Sequence, residues 1–161
     1  MSELTHLDRD GNARMVDVSD KAISARSATA VGRIHLGPAA VDAVAQRTVK
    51  KGDVLAIAQL AGIQAAKRTA DLVPLCHPLP LAGVKVQLEL DEAARCVRCT
   101  ATVKTTWRTG VEMEALTSVS AALLTVYDML KAIDKEMVLG GIQLVEKTGG
   151  RSGDVQRDPT W

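Results

Sequence analysis

The sequence predicts an α+β domain in which helices pack on one face of an antiparallel sheet. Three observations predict it: two adjacent segments that alternate like the arms of a β hairpin, a long segment with helical periodicity after them, and two shorter helical segments before them. The full order is two β segments, two helices, the hairpin, the long helix and a final strand. This order is typical of α+β domains, including ferredoxin-like ones.

The composition suits one domain with an aliphatic core. The chain has 161 residues, of which 47% are hydrophobic but only 2% aromatic. Few aromatic rings and a net charge of +1 argue against a nucleic-acid partner. Three cysteines do not complete a disulfide framework, the N-terminus lacks a signal-like apolar run, and no apolar run would span a membrane. We therefore expect a cytoplasmic protein without a membrane partner.

The N-terminal third is predicted to run from a polar arm into two strands. Residues 1–12 are expected to be a disordered arm, residues 13–155 the single domain and residues 156–161 a tail. Arg14–Ser19 alternates like a short strand, and Ser24–Leu36 like a longer one. Arg26, between small residues of the second strand, could reach an anion, although a solvated strand charge is the more ordinary interpretation.

Two helices are predicted next. Gly37-Pro38 marks the start of the first, Pro38–Val49, and Asp53 is placed to cap the second, Val54–Thr69. Basic residues bracket the second helix, with Lys51 before it and Lys67 near its end. A favourable interaction with the helix dipole explains Lys67 without any ligand.

A proline-rich loop follows the second helix. Three prolines within ADLVPLCHPLPLAG exclude a helix and favour an extended loop that carries Cys76 and His77. A histidine held in such a loop is either a substrate contact or a structural residue, and the loop alone does not decide between them.

The hairpin is predicted from Val84–Leu90 and Cys96–Thr106, which alternate on either side of a five-residue connection. Residues i and i+3 of a strand point to opposite faces. Cys96 and Cys99 therefore cannot ligate one metal ion, and no metal site is predicted.

The long helix lies within Gly110–Ile133. Leu116, Val119, Leu123, Val126, Leu130 and Ile133 recur at helical spacing and predict its buried face. Asp128 and Lys131 are i,i+3 neighbours on another face, where a surface ion pair is the ordinary interpretation. Met137–Lys147 is predicted to be the last strand, with a bulge at Gly140-Gly141, before a glycine-rich segment around Arg151.

Four stretches together resemble one enzyme family. They read MVDVSDKAISARSATAVGRI, KKGDVLAIAQLAGIQAAKRTADLVPLCHPLPL, GVEMEALTSVSAALLTVYDMLKAID and VEKTGGRSGDV, and they cover about residues 14 to 155. They resemble the MoaC family, the cyclic pyranopterin monophosphate synthases of molybdenum cofactor biosynthesis. Arg151 stands where the family pattern leads us to expect lysine. A planar guanidinium therefore replaces a compact ammonium group there, with the same charge but a different geometry.

The resemblance implies a lyase that converts (8S)-3′,8-cyclo-7,8-dihydroguanosine 5′-triphosphate to cyclic pyranopterin monophosphate and pyrophosphate. It also implies a ferredoxin-like fold, no metal or organic cofactor, and a homohexamer built as a trimer of dimers with sites between subunits. The alternatives are another nucleotide or pterin phosphate lyase or hydrolase, and a non-enzymatic module that binds acidic partners or RNA.

The same resemblance suggests a role for each site residue. Ring opening and closure need proton transfers, so we expect Lys131 to be the general acid/base and Asp128 to orient it or relay protons. We expect this pair to face a hollow that holds an anionic ligand beside the histidine loop. Burial would lower the pKa of Lys131, and the neighbouring carboxylate would oppose that change. The expected substrate-binding residues are Leu75, Cys76, His77, Glu112, Met113 and Glu114, with Arg26, Lys51, Lys67, Lys147 and Arg151 for the triphosphate.

Overall fold

The computed structural model describes residues 6–150 and 153–161. This part of the chain forms a five-stranded antiparallel sheet in the order β2-β3-β1-β4-β5. The strands are β1 (Ser24–His35), β2 (Gly83–Asp91), β3 (Cys96–Trp107), β4 (Val138–Thr148) and β5 (Val155–Gln156). The helices are α1 (Pro38–Ala45), α2 (Val54–Ala66), α3 (Thr69–Leu72) and α4 (Glu112–Leu130). The predicted α+β fold, ferredoxin-like with helices packed on the sheet, is confirmed.

Strand β1 lies at the centre of the sheet and is paired along its length with β3 and with β4. Its alternate residues Ala28, Ala30 and Ile34 are fully buried, while Ser27 and Thr29 are only partly buried. Gly32 lets α4 lie close to the strand, since a Cβ there would be 2.8 Å from Cγ1 of Val119. The core is therefore built between β1 and the long helix.

Helix α4 buries the aliphatic stripe that its sequence predicts. Val119, Leu123, Val126 and Leu130 are fully buried. Ile133, predicted to belong to this stripe, is 47% exposed because the helix ends at Leu130 and Ile133 lies in the turn that follows.

Helix α2 packs antiparallel to α4. Gly62 in α2 lies against Ser118, where a Cβ would be 3.1 Å from the Ser118 carbonyl oxygen. Lys51, just before α2, contacts Asp128 near the end of α4. The start of α2 therefore lies beside the end of α4, and the end of α2 lies towards the start of α4.

Three predicted elements differ from the structure. Arg14–Ser19 is not a strand; it leads into a turn in which Asp17 Oδ1 accepts a hydrogen bond from the Ser19 N–H at 2.8 Å. The first helix ends at Ala45 rather than Val49, since Arg47 adopts a left-handed φ of 53°. The second ends at Ala66, and a separate four-residue helix, α3, follows.

The hairpin and β4, the strand predicted to be the last, are where the sequence places them, whereas the short strand β5 was not predicted. β2 and β3 pair from Gly83↔Lys104 to Asp91↔Cys96. The predicted bulge in β4 is confirmed by a change of register, since Val31 pairs with Gln143 but Arg33 pairs with Gly140.

Both ends of the described chain make local contacts. At the C-terminus, β5 pairs with β4, and Trp161 stacks on the Arg33 guanidinium at 5.1 Å. At the N-terminus, Asp8 accepts backbone hydrogen bonds within a turn that contains Gly11. Within residues 6–150 and 153–161, no helix combines the length and the apolar character needed to cross a membrane.

Candidate active site

Two open grooves meet at the N-terminal end of α4. The first, here called the cationic groove, has a volume of about 570 Å³. The second, here called the histidine groove, has a volume of about 290 Å³. They share one wall, which is formed by Lys21, Thr109, Gly110 and Glu112. Six of the predicted substrate-binding residues line the histidine groove or this shared wall: Leu75, Cys76, His77, Glu112, Met113 and Glu114.

The cationic groove brings together positive side chains from distant parts of the sequence. Arg26 comes from β1, Arg108 from the end of the hairpin, Lys147 from β4 and Lys21 from the N-terminal segment. The Arg26 side chain is fixed by its Nε, which donates to the Trp107 carbonyl at 3.0 Å. The groove therefore offers several cations to one anionic ligand.

Glu112 is the carboxylate of this groove. Its Oε1 lies 3.2 Å from Lys147 Nζ, and both side chains are largely buried. The carboxylate folds back over Gly110, where any Cβ would collide with it. A side chain at position 110 would therefore displace Glu112 from the shared wall.

The proline loop also lines the histidine groove, through Leu75, Cys76, His77 and Leu79. Thr105 Oγ1 in β3 donates to the Pro80 carbonyl at 2.5 Å and so ties the loop to the sheet. His77 Nε2 is hydrogen-bonded to the Val16 carbonyl at 2.7 Å. Burial raises the pKa of the Cys76 thiol, and the charge of Glu114 raises it further. Cys76 therefore favours its neutral form and is suited to contact a ligand rather than to attack it.

Glu114 is the buried carboxyl of the site, with 5% of its surface exposed. Desolvation raises its pKa; a hydrogen bond from its own backbone N–H opposes this, and the nearby Glu112 adds to the increase. A carboxyl in this setting accepts hydrogen bonds from ligand N–H groups readily, because an incoming donor relieves the cost of burying its charge.

Asp128 and Lys131 form an ion pair at the other end of α4. Asp128 Oδ1 lies 2.7 Å from Lys131 Nζ, and Asp128 Oδ2 lies 3.6 Å from Lys51 Nζ. Lys51 also donates to the Asp128 backbone carbonyl at 3.0 Å. The three side chains are 50–60% exposed, at 60% for Asp128, 54% for Lys131 and 51% for Lys51.

The ion pair stabilises both charges. The hydrogen bond and charge of Lys131, followed by the charge of Lys51, lower the pKa of Asp128. The hydrogen bond and charge of Asp128 raise the pKa of Lys131. Of the two opposing effects expected on Lys131, the carboxylate dominates in the single chain because the ammonium is exposed to water.

The Asp128–Lys131 pair, predicted to be catalytic, lies far from both grooves within one chain. Glu112 and Asp128 are 16 residues apart on the same helix, which corresponds to about 24 Å at 1.5 Å per residue. Neither groove is lined by Asp128, Lys131 or Lys51. The expectation that the pair faces a hollow beside the histidine loop is therefore not met within one chain.

The structure gives less information on the positions of Lys67 and Arg151, the two remaining cations predicted to bind the triphosphate. Lys67 is the exposed C-terminal cap residue of α2, and the antiparallel packing places it towards the start of α4. Arg151 lies outside the described residues, although Gly150 beside it lines the cationic groove.

Sequence reasoning did not identify Lys21 and Arg108. Lys21 follows a segment interpreted as a strand, and Arg108 lies at the junction of β3 and α4 with no motif of its own. A signal for Arg108 exists in hindsight: it directly precedes the Thr109-Gly110 entry to the acidic helix. Among the described residues, no three His, Cys, Asp or Glu side chains group so as to hold a metal ion.

Comparison with known proteins identifies the family of this chain. The family model described as "MoaC family" matches residues 15–150. The cyclic pyranopterin monophosphate synthase of Parvibaculum lavamentivorans is 57% identical over 152 residues, which are 94% of this chain and 95% of that protein. The synthases of Thermomicrobium roseum and of a Roseiflexus species are each 56% identical over 158 residues, 98% of this chain and 95% and 100% of theirs. The chain belongs to the MoaC family.

Proposed function

We propose that this protein is a cyclic pyranopterin monophosphate synthase of molybdenum cofactor biosynthesis. Its substrate is (8S)-3′,8-cyclo-7,8-dihydroguanosine 5′-triphosphate, and its products are cyclic pyranopterin monophosphate and pyrophosphate. The observation that carries the proposal is the similarity, at 56–57% identity over nearly the whole chain, to proteins of that name.

The chemistry of the two grooves supports this substrate. A triphosphate needs several cations, and the cationic groove offers Arg26 and Lys147 together with two further positive side chains. A guanine-derived ring presents N–H donors, and Glu112 and Glu114 at the junction of the grooves are acceptors for them. Leu75, Cys76, His77 and Met113 complete the pocket around the ring.

The reaction centre is proposed to lie between two chains. A pair about 24 Å from the grooves along one helix cannot act on a ligand held there, so a second copy must bring its own Asp128 and Lys131 to the grooves. Lys51 accompanies this pair, since it contacts Asp128. A homo-oligomer follows from this requirement, and the homohexamer built as a trimer of dimers is the form that the family resemblance suggests.

Lys131 is proposed to donate and accept protons at the rearranging ring. Its raised pKa keeps it protonated in the isolated chain. Covering by a second chain would desolvate the ammonium and lower its pKa towards the working pH, where it could also act as a base. Asp128 would hold the amine in place, as its 2.7 Å contact indicates. No metal or organic cofactor is invoked, and the cytoplasm is the proposed location.

Turnover of the precursor tests the proposal. Purified protein is expected to convert the cyclised GTP derivative to the pyranopterin product, with one pyrophosphate released per product. Release of orthophosphate without a pterin would instead favour the alternative, another nucleotide or pterin phosphate lyase or hydrolase. No turnover of a precursor that an established synthase consumes under the same conditions would contradict the proposal.

A further inference from the structure

A short N-terminal segment forms part of both grooves. Met15–Lys21, here called the strap, has neither helical nor strand structure. Its residues Val16 and Val18 line the histidine groove, and Lys21 lines both grooves. The strap thus supplies part of the wall at which the two grooves join.

Two side chains from distant parts of the sequence hold the backbone of the strap. His77 in the proline loop is hydrogen-bonded to the Val16 carbonyl at 2.7 Å. Arg108, at the end of the hairpin, donates from Nη1 to the Ser19 carbonyl. Within the strap, the Lys21 N–H donates to the Val18 carbonyl at 3.0 Å, closing a turn. The position of Lys21 is therefore fixed although it lies outside the regular elements.

The Lys21 side chain is suited to a ligand rather than to a protein partner. It is half-buried, and within the described residues no carboxylate forms an ion pair with it. Glu112, the carboxylate of the shared wall, is instead paired with Lys147. A lysine that lines a groove without a counter-charge favours the binding of an anion there.

We propose that Lys21 is a phosphate-binding residue at the junction of the grooves, and that His77 and Arg108 act as positioning residues by holding the strap. This inference rests on the proposed function, since it assumes a polyphosphate ligand in the cationic groove. It gives His77 an additional role, because the imidazole acts through the Val16 carbonyl and the strap as well as beside the ligand.

Binding of inorganic tripolyphosphate, measured by calorimetry on the intact protein at low salt, tests the inference apart from turnover. Lys21→Ala is expected to weaken this binding by about tenfold or more, the loss typical of a charged hydrogen bond. Lys21→Arg is expected to restore most of it. The matched control is Lys85→Ala, because Lys85 is an exposed strand lysine that lines neither groove; its affinity is expected to equal that of the wild type.

A double-mutant cycle tests the positioning role of His77. If His77 acts by holding the strap, His77→Ala weakens tripolyphosphate binding in the wild-type background but adds little in the Lys21→Ala background. If the double variant loses the sum of the binding free energies lost by the two single variants, the positioning role is overturned.

Two outcomes would overturn the role of Lys21. One is equal affinity of Lys21→Ala and the wild type; the other is a wild-type protein that turns over the precursor without binding tripolyphosphate. Failure of the proposed function is distinguished from both, because it appears as loss of pterin formation in the wild type itself.

Discussion

Gly149 lies against β1 and directly precedes Gly150, which lines the cationic groove. Its replacement by alanine should therefore destabilise the fold and weaken substrate binding. Gly149 has a φ of +84°, and a Cβ on it would lie 2.5 Å from the Ala25 carbonyl oxygen. The left-handed conformation costs alanine about 1–2 kcal/mol, partly offset by the lower entropy of its unfolded chain. The collision with a backbone atom cannot be relieved by rotating a side chain and adds about 1–3 kcal/mol. We expect Gly149→Ala to destabilise the fold by about 2–4 kcal/mol.

A glycine in the same segment separates the two contributions. Gly153 has a φ of +74°, but a Cβ there meets no atom of the described residues within 4 Å. Gly153→Ala should therefore carry the conformational penalty alone, about 1 kcal/mol. Urea unfolding of both variants measures the difference, and precursor KM measures the effect on Arg26, whose backbone is displaced with Ala25. Equal destabilisation by the two substitutions would refute the close approach of Gly149 to β1.

Three further predictions, which use four substitutions, concern the charged groups of the histidine groove and of the Asp128–Lys131 pair. Because burial raises the folded-state pKa of Glu114, its contribution to stability is present below the ordinary glutamate pKa and is lost as pH rises through the raised value. Glu114→Gln should therefore remove this pH-dependent loss of stability, as measured by unfolding at several pH values, and should also weaken substrate binding. If the pH dependence of unfolding were unchanged in this variant, the raised pKa of Glu114 would be contradicted. Lys51→Ala should raise the pKa of Asp128 towards its ordinary value in a carboxyl NMR titration, and an unmoved titration would exclude their contact. Asp128→Ala and Lys131→Ala should keep the wild-type circular dichroism spectrum but lose pterin formation, so full turnover by either variant would remove it from the mechanism.

The sheet and its helices were predictable where hydrophobic period and turn chemistry agree. The hairpin arms alternate cleanly, and the aliphatic stripe of α4 follows helical spacing, so both were assigned correctly. The wrong predictions concern segments in which the hydrophobic alternation covers only a few residues. Arg14–Ser19 alternates for too few residues to distinguish a strand from a segment held by distant side chains, here His77 and Arg108.

Motifs in the sequence suggested candidate site residues but not their arrangement. Residues close together in the motifs, such as Cys76 and His77 or Glu112 and Glu114, line the histidine groove together. Lys21 lies within a stretch that resembles the family, but no local pattern marks it as a ligand contact, and only the strap geometry brings it to the shared wall. The distance from Glu112 to Asp128 follows from helix length, yet the proposed covering of Asp128 by a second chain would depend on association between chains and is not encoded in any local pattern.

Complementation between subunits tests the central claim most directly, namely that one chain supplies the grooves and another the Asp128–Lys131 pair. Asp128→Ala and Glu112→Ala, each inactive alone, are unfolded together and refolded as a mixture, with refolded wild type and each refolded variant as controls. Random pairing in a two-fold dimer leaves about a quarter of the sites with both halves intact, so we expect about a quarter of wild-type pterin formation. A mixture that is no more active than the separate variants, despite verified subunit exchange, would contradict a site shared between chains.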